Sequence, residues 1–256
     1  MAEGNDTRFY FESGINVTLP PSATQEFRFH CFTNGENQEE ISALMSVAKT
    51  SGVLFDVGAH QGMFSLLFCV SHPQNRSIAY EPSPSLARTG RELFHKNGIL
   101  DRAEYVEAAL GSREEERQVW FPDDAFMSLE PHGAKTVGTL MKFVTIDSEA
   151  SRLATRPTVI KIDVEGFEWE VLQGAVETLR NDKPIVFLEL HLDLLDKRGI
   201  SPSAVCLLLN DLGYCLHDCL GNRLSLSAGY NGFSALRRFV WQHPEGIRWS
   251  GLNGGR

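Results

Sequence analysis

Val53-Leu54-Phe55-Asp56-Val57-Gly58-Ala59-His60-Gln61-Gly62 joins a short apolar run to a pair of glycines. The run reads as a buried strand, and glycines at 58 and 62 allow a tight turn and close approach of backbone to a ligand. The spacing is G-x-x-x-G, not the G-x-G-x-x-G of dinucleotide folds. A dinucleotide pyrophosphate needs a glycine loop packed onto a helix N-terminus, which attracts anions. Asp56 stands beside this turn, where its charge repels a pyrophosphate but favours a sulfonium or ammonium group. The plain alternative is a strand-to-helix turn with no ligand.

The same rhythm continues outward. Met63 to Val70 reads as a buried helix, and Ile78-Ala79-Tyr80 as a second strand closed by Glu81-Pro82. Glu81 falls about 20 residues after the turn, where nucleotide-binding folds place a carboxylate that grips the ribose. An amphipathic helix, Ser85 to Asn97, ends at Gly98, and Tyr105 to Leu110 makes a third run. Further on come the run Val159 to Val164, a helix from Phe167 to Leu179, the run Ile185 to Leu190 and a helix from Ser201-Pro202 through Leu212. Tyr214 to Cys219 and Arg237 to Trp241 close the chain as two strands with no clear helix between them. Short apolar strands alternating with helices predict an α/β fold, a mostly parallel sheet with helices on both faces and one antiparallel edge strand.

No linker divides residues 1–256, so a single domain is expected. Residues 1–50 form a small N-terminal elaboration: an extended Phe27 to Phe32, then a helix capped by Asn37 and stopped by Gly52. Residues 118–143 interrupt the rhythm with turn residues at Pro122-Asp123-Asp124 and Pro131-His132-Gly133. They are a candidate substrate lid, the alternative being a surface hairpin.

The 256 residues are 42% hydrophobic and 22% charged, ordinary for a globular chain, with a net charge of -9. That charge, with no basic run, opposes a nucleic-acid partner, which needs clustered Lys and Arg. A small-molecule substrate fits better. The start is polar and acidic, unlike a secretory signal, and no window approaches the roughly 20 apolar residues of a membrane span. Five scattered cysteines suit reduced thiols, so the cytoplasm is the expected compartment.

Five blocks in order carry a resemblance: Asp56 to Gly62, Tyr80-Glu81-Pro82-Ser83-Pro84, Ala109-Leu110-Gly111, Ile160-Lys161-Ile162-Asp163-Val164-Glu165-Gly166 and Leu188-Glu189-Leu190-His191. Together they resemble the FkbM-type methyltransferases over more than half of the chain. The resemblance implies a seven-strand Rossmann-like sheet and S-adenosylmethionine as cofactor. It also implies O-methylation of a hydroxyl on a saccharide, lipid or polyketide-type metabolite. Asp56, Gly58 and Gly62 would then surround the methionine part and Glu81 would hold the ribose. Ala59, His60, Pro82, Ser83 and Asp163 complete the expected cofactor residues. His60 stands where Asn is more usual. The third run ends in Ala108-Ala109 without the acidic residue many class I enzymes place near adenine, so adenine falls to backbone at Ala109 and to Ser128.

Methyl transfer to a hydroxyl requires in-line approach and removal of a proton. Lys161, Asp163 and Glu165 recur at i, i+2, i+4, on one face of an extended strand. Lys161 reads best as part of an ion network, and Asp163 and Glu165 as catalytic candidates. Two carboxylates are weak evidence for a metal without a third ligand, so no metal site is assigned. His191, beside Glu189 at a strand end, is the candidate general base, with Glu189 orienting its ring. Cys215-Leu216-His217-Asp218-Cys219 cannot converge on one zinc if extended. Phe167, Trp169 and Leu172 are core or pocket wall. The competing readings are a nicotinamide oxidoreductase and a cofactor-binding member without catalysis.

Overall fold

The computed structural model describes residues 5–11, 13–33, 35–121, 127–130, 138–225, 238–249 and 251–252. The chain separates into two compact units, residues 1–107 with 119–139 and residues 108–118 with 140–256.

In the first unit, β1 (Thr7–Tyr10) and β2 (Asn16–Leu19) pair antiparallel within a start that looks irregular in sequence. Helix α1 (Pro21–Arg28) begins with proline in its first turn, where a missing N–H costs nothing. It runs into a π-helical turn, Phe29–Thr33, and then α2 (Gly35–Val47). Phe27 to Phe32 is therefore helical rather than extended. Phe27 and Cys31, four apart, are both buried, which is the helical period. The core rhythm follows: β3 (Val53–Val57), α3 (Met63–Ser71), β4 (Arg76–Tyr80), α4 (Pro84–Lys96) and β5 (Ala103–Val106), with β3, β4 and β5 parallel. Ser83 caps α4 by accepting from the Leu86 N–H at 3.4 Å.

The third apolar run divides. Beyond β5, β6 (Ala109–Leu110) leaves the main sheet for a three-stranded one of order β6-β8-β7, with β7 spanning Glu115–Val119 and β8 Thr139–Val144. The turn residues of the candidate lid lie outside the described residues. What is described there is an antiparallel bridge between Trp120 and Ser128.

In the second unit, α5 (Ile146–Arg152) opens with a capping box of Thr145 and Ser148. β9 (Val159–Ile162) leads to α6 (Glu168–Gln173) and α7 (Val176–Asp182). These are two helices where the sequence suggests one. The break falls at Gly174, where a Cβ would lie 2.1 Å from the Gly111 carbonyl oxygen. β10 (Ile185–Glu189), α8 (Leu192–Lys197), α9 (Pro202–Asp211), β11 (Cys215–His217) and β12 (Arg238–Gln242) complete the chain.

The main sheet has seven strands in the order β11-β12-β10-β9-β3-β4-β5. It is mostly parallel, and β12 runs against both β10 and β11. The antiparallel strand is thus one place in from the edge, and β11 is the edge. The reversed strand fills the slot beside β10 and bonds on both sides.

Candidate active site

At the carboxyl end of β3 the chain turns through Gly58 (φ 78°), His60 (φ 52°) and Gly62 (φ 78°), three left-handed positions in five residues. The N–H groups of Gly58 and Ala59 both donate to the Tyr80 carbonyl at 3.0 Å, tying the turn to β4. A Cβ at Gly62 would lie 2.9 Å from Phe94 and 3.0 Å from Tyr105, so that glycine is required by packing as well as by φ. Histidine and asparagine are among the side chains that tolerate positive φ best, which accounts for His60 where Asn is more usual.

Glu81 follows β4 and is 5% exposed. Its Oε2 accepts the His60 N–H at 2.9 Å and its Oε1 accepts the Ser83 N–H at 2.8 Å. The glycine turn and the β4–α4 turn, which holds Pro82, are therefore joined through one carboxylate. Burial pushes its pKa up to about 7, against the lowering by the two backbone N–H groups. Asp56 is buried and turned toward α3, where its Oδ2 accepts from the Ser65 N–H at 3.0 Å and the Ser65 hydroxyl at 2.6 Å.

Three residues that the motifs do not single out complete this end. The Tyr105 hydroxyl donates to the His60 carbonyl. Glu26 of α1 lies 3.0 Å from His60 Nδ1 and 3.5 Å from His30 Nε2. Burial raises the Glu26 pKa, but its bonds to His30 and His60 outweigh that and hold it down to about 2. Only a fold brings residue 26 to residue 60, and no spacing signals it.

In the second unit, β9 ends at Ile162, and Asp163 and Glu165 lie beyond it in a loop. Glu165 takes φ 50° and Gly166 φ 92°, so the alternation of an extended strand stops before Glu165. Gly166 is pinned from α8: its carbonyl accepts from Arg198, and a Cβ would lie 2.7 Å from Leu194 Cβ. Lys161, 1% exposed, reaches Asp163 Oδ2 at 3.4 Å, the ion network expected of it. Burial would raise the Asp163 pKa, but Lys161, His191 and Arg238 bring it below the usual carboxylate value.

His191 caps α8 and is 13% exposed. Its Nε2 lies 3.3 Å from Glu165 Oε2 and 3.7 Å from Asp163 Oδ1, and its Nδ1 lies 2.7 Å from Glu168 Oε1. Asp163, Glu165 and His191 are therefore together, with Glu168 behind the ring. Burial lowers the imidazole pKa, but the bond to Glu168 and the charges of Asp163, Glu165 and Glu168 overcome it and raise it to about 9. The ring is then mostly imidazolium at neutral pH, and the free base expected for proton abstraction is the minor form. Glu189 does not orient the ring. It pairs with Arg238 at 2.8 Å, its register partner on β12. Glu168 takes that place from the first turn of α6, 23 residues away in sequence.

A family model described as methyltransferase FkbM domain matches residues 56–216. The chain belongs to the FkbM methyltransferase family. Over 177 residues it is 26% identical to the hexuronic acid methyltransferase AglP of Haloferax volcanii, covering 68% of each chain. A solved FkbM methyltransferase from Methylobacillus flagellatus is similar at TM-score 0.48 and 18% identity, over 75% of this chain and 44% of that one. This chain thus spans less than half the length of that structure. A putative O-methyltransferase from Klebsiella pneumoniae is similar at TM-score 0.47 and 10% identity, over 87% of both chains.

Ala109 is buried in β6, and the Ser128 hydroxyl donates to the Glu130 carbonyl at 2.9 Å. Leu172 is core, Arg198 stacks 4.2 Å from the Phe167 ring centroid, and Trp169 lines an apolar cavity of about 480 Å³ with Leu207 and Leu208 of α9. Among the described residues no helix is long and apolar enough to cross a membrane. Among the described residues no disulfide joins the cysteines, and burial pushes the thiols of Cys31, Cys69 and Cys206 up to about 12.

Proposed function

We propose that this methyltransferase moves a methyl group from S-adenosylmethionine to a hydroxyl of a small metabolite, with a saccharide as the first candidate. The observation that carries the cofactor reading is Glu81, a buried carboxylate tied to the glycine turn through the His60 N–H. Each of its oxygens accepts one backbone hydrogen bond and keeps lone-pair capacity for a ribose hydroxyl. S-adenosylmethionine supplies a methyl group already activated on a sulfonium. Gly58, Ala59, His60 and Gly62, with Pro82 and Ser83, shape the backbone that would hold it. Asp56 holds α3 through Ser65 and contributes negative charge suited to a cation. Ala109, Ser128 and Asp163 stay in the proposed cofactor set for adenine and the methionine end.

On the acceptor side we place Asp163, Glu165 and His191. They receive the hydroxyl, orient it, and take up the proton released as oxygen gains the methyl group. The saccharide preference is supported by the similarity to AglP, named for a hexuronic acid. The net charge of -9 favours a small molecule over a nucleic acid. Five cysteines scattered along the chain suit reduced thiols and support a cytoplasmic location.

The test combines calorimetry and mass spectrometry. S-adenosylmethionine and S-adenosylhomocysteine should bind, NAD should not, and incubation with sugar acids and related metabolites should add one methylene to a product while S-adenosylhomocysteine is released. No binding of either sulfur ligand would refute the cofactor reading. Binding without turnover on any hydroxyl acceptor would make this a non-catalytic member.

A further inference from the structure

We infer that Asp163, Glu165 and His191 bind one divalent transition-metal cation. One ligand atom each of Asp163, Glu165 and His191 lies within 4.8 Å of the other two. From Nε2 the separations are 3.3 Å to Glu165 and 3.7 Å to Asp163. Ligands about 2.0–2.2 Å from one ion stand roughly 3–3.5 Å apart, so a small contraction would close the set. Lys161 lies on the other oxygen of Asp163, at 3.4 Å from Oδ2, so Oδ1 is the atom directed to the cluster.

A second observation points the same way. Glu168, with a side chain 0% exposed, sits behind His191 with Oε1 2.7 Å from Nδ1, and its other oxygen has no hydrogen-bond partner among the described residues. A carboxylate holding Nδ1–H fixes the tautomer that leaves the Nε2 lone pair for a metal and raises its basicity. Keeping a full carboxylate buried with one oxygen unsatisfied is costly, and a cation on the far side of the ring compensates it. Glu165 is 42% exposed on its side chain, so an ion has access from solvent.

The donor set selects the ion. Magnesium and calcium prefer oxygen alone, whereas one imidazole with two carboxylates suits manganese, iron(II) or zinc. Three protein ligands leave coordination positions open for the acceptor hydroxyl. This last point deepens the acceptor-side reading above and rests on it: with an ion bound, the three side chains act through the cation instead of taking the proton themselves, the cation lowers the hydroxyl pKa, the O–H proton leaves to water, and the C–O bond forms as the C–S bond breaks. The binding site itself rests on the three donors and Glu168.

The test uses the full chain, stripped with chelator and dialysed, then titrated with manganese(II) followed by electron paramagnetic resonance and with zinc(II) by calorimetry. One ion should bind per chain. Glu165→Gln and Asp163→Asn should each weaken binding at least about tenfold, and Glu168→Gln about 10–100-fold, with circular dichroism unchanged. If Asp163→Asn misfolds, the exposed Glu165→Gln reads the same site. No saturable binding of either ion, or wild-type affinity in folded Glu165→Gln and Glu168→Gln, would overturn the inference. Methyl transfer is measured in parallel. An enzyme that binds one ion yet turns over equally when stripped keeps the metal site and loses the acceptor-side role. An enzyme that binds none yet needs Asp163 for turnover does the reverse.

Discussion

Replacing Glu81 by Gln separates the charge of this carboxylate from its shape. Burial moves its pKa from 4.5 to about 7. At about 1.4 kcal/mol per pH unit, ionised Glu81 costs the folded chain roughly 3 kcal/mol relative to the unfolded one. The sign follows from the raised value. Below about pH 4.5 both states hold the proton and nothing is lost. As pH rises the unfolded chain releases its proton first, so stability falls until about pH 7 and is then level. Glu81→Gln has no such window. Its stability in urea, measured against wild type, should improve by about 3 kcal/mol between these limits. The amide also puts an N–H donor against the N–H of His60 or Ser83, a pH-independent loss of about 1–3 kcal/mol. Ribose hydroxyls donate to the ionised form, so wild-type affinity for S-adenosylhomocysteine should fall roughly twentyfold from about pH 7.5 to about pH 5.5. The variant should bind weakly and evenly across that range. Wild-type affinity flat in pH, or a variant binding as well as wild type at the upper pH, would refute the assignment.

Two other outcomes follow from the same geometry. Gly62→Ala and Gly98→Ala both force alanine into positive φ, costing about 1–2 kcal/mol, but only Gly62 faces atoms within 4 Å of the new Cβ. Gly62→Ala should therefore lose about 1–3 kcal/mol more in urea denaturation, and equal losses would sink the packing argument. In metal-free protein the His191 ring should titrate near 9 by NMR, giving stability that is full below about pH 6.5 and lost as pH rises through 9. A midpoint near the ordinary imidazole value would mean that the three carboxylates do not surround it.

The alternation of strands and helices is legible in sequence because it depends on local apolar runs and on glycines that leave little choice of conformation. Val53 to Gly62 and the runs ending at Glu81 and Glu189 are of this kind. The hairpin of β1 and β2 is less legible because its strands are four residues each and mix polar with apolar positions. The break between α6 and α7 is hidden because the atom that Gly174 avoids belongs to Gly111. The site divides in the same way. Asp163, Glu165 and His191 are visible as chemistry at strand ends, but their partners come from elsewhere. Glu168, two residues past Gly166, would have been suspected from a carboxylate following a left-handed loop. Arg238 as the partner of Glu189 depends on a cross-strand register that no spacing in the sequence contains.

The place of β12 has a consequence for the order in which this chain can be assembled. β12 bonds to β10 on one side and to β11 on the other, although it follows both in sequence. During synthesis β10, whose residues Ile185 to Leu188 are wholly buried in the finished protein, must wait with one edge open. That edge is a row of unpaired N–H and C=O groups flanked by apolar side chains, the kind that recruits a strand from another molecule. The exposure ends only when Arg238–Gln242 has left the ribosome and inserted. A pause between residues 190 and 238 should therefore favour aggregation, and a slowed chain should depend on chaperones for the interval before its sheet closes.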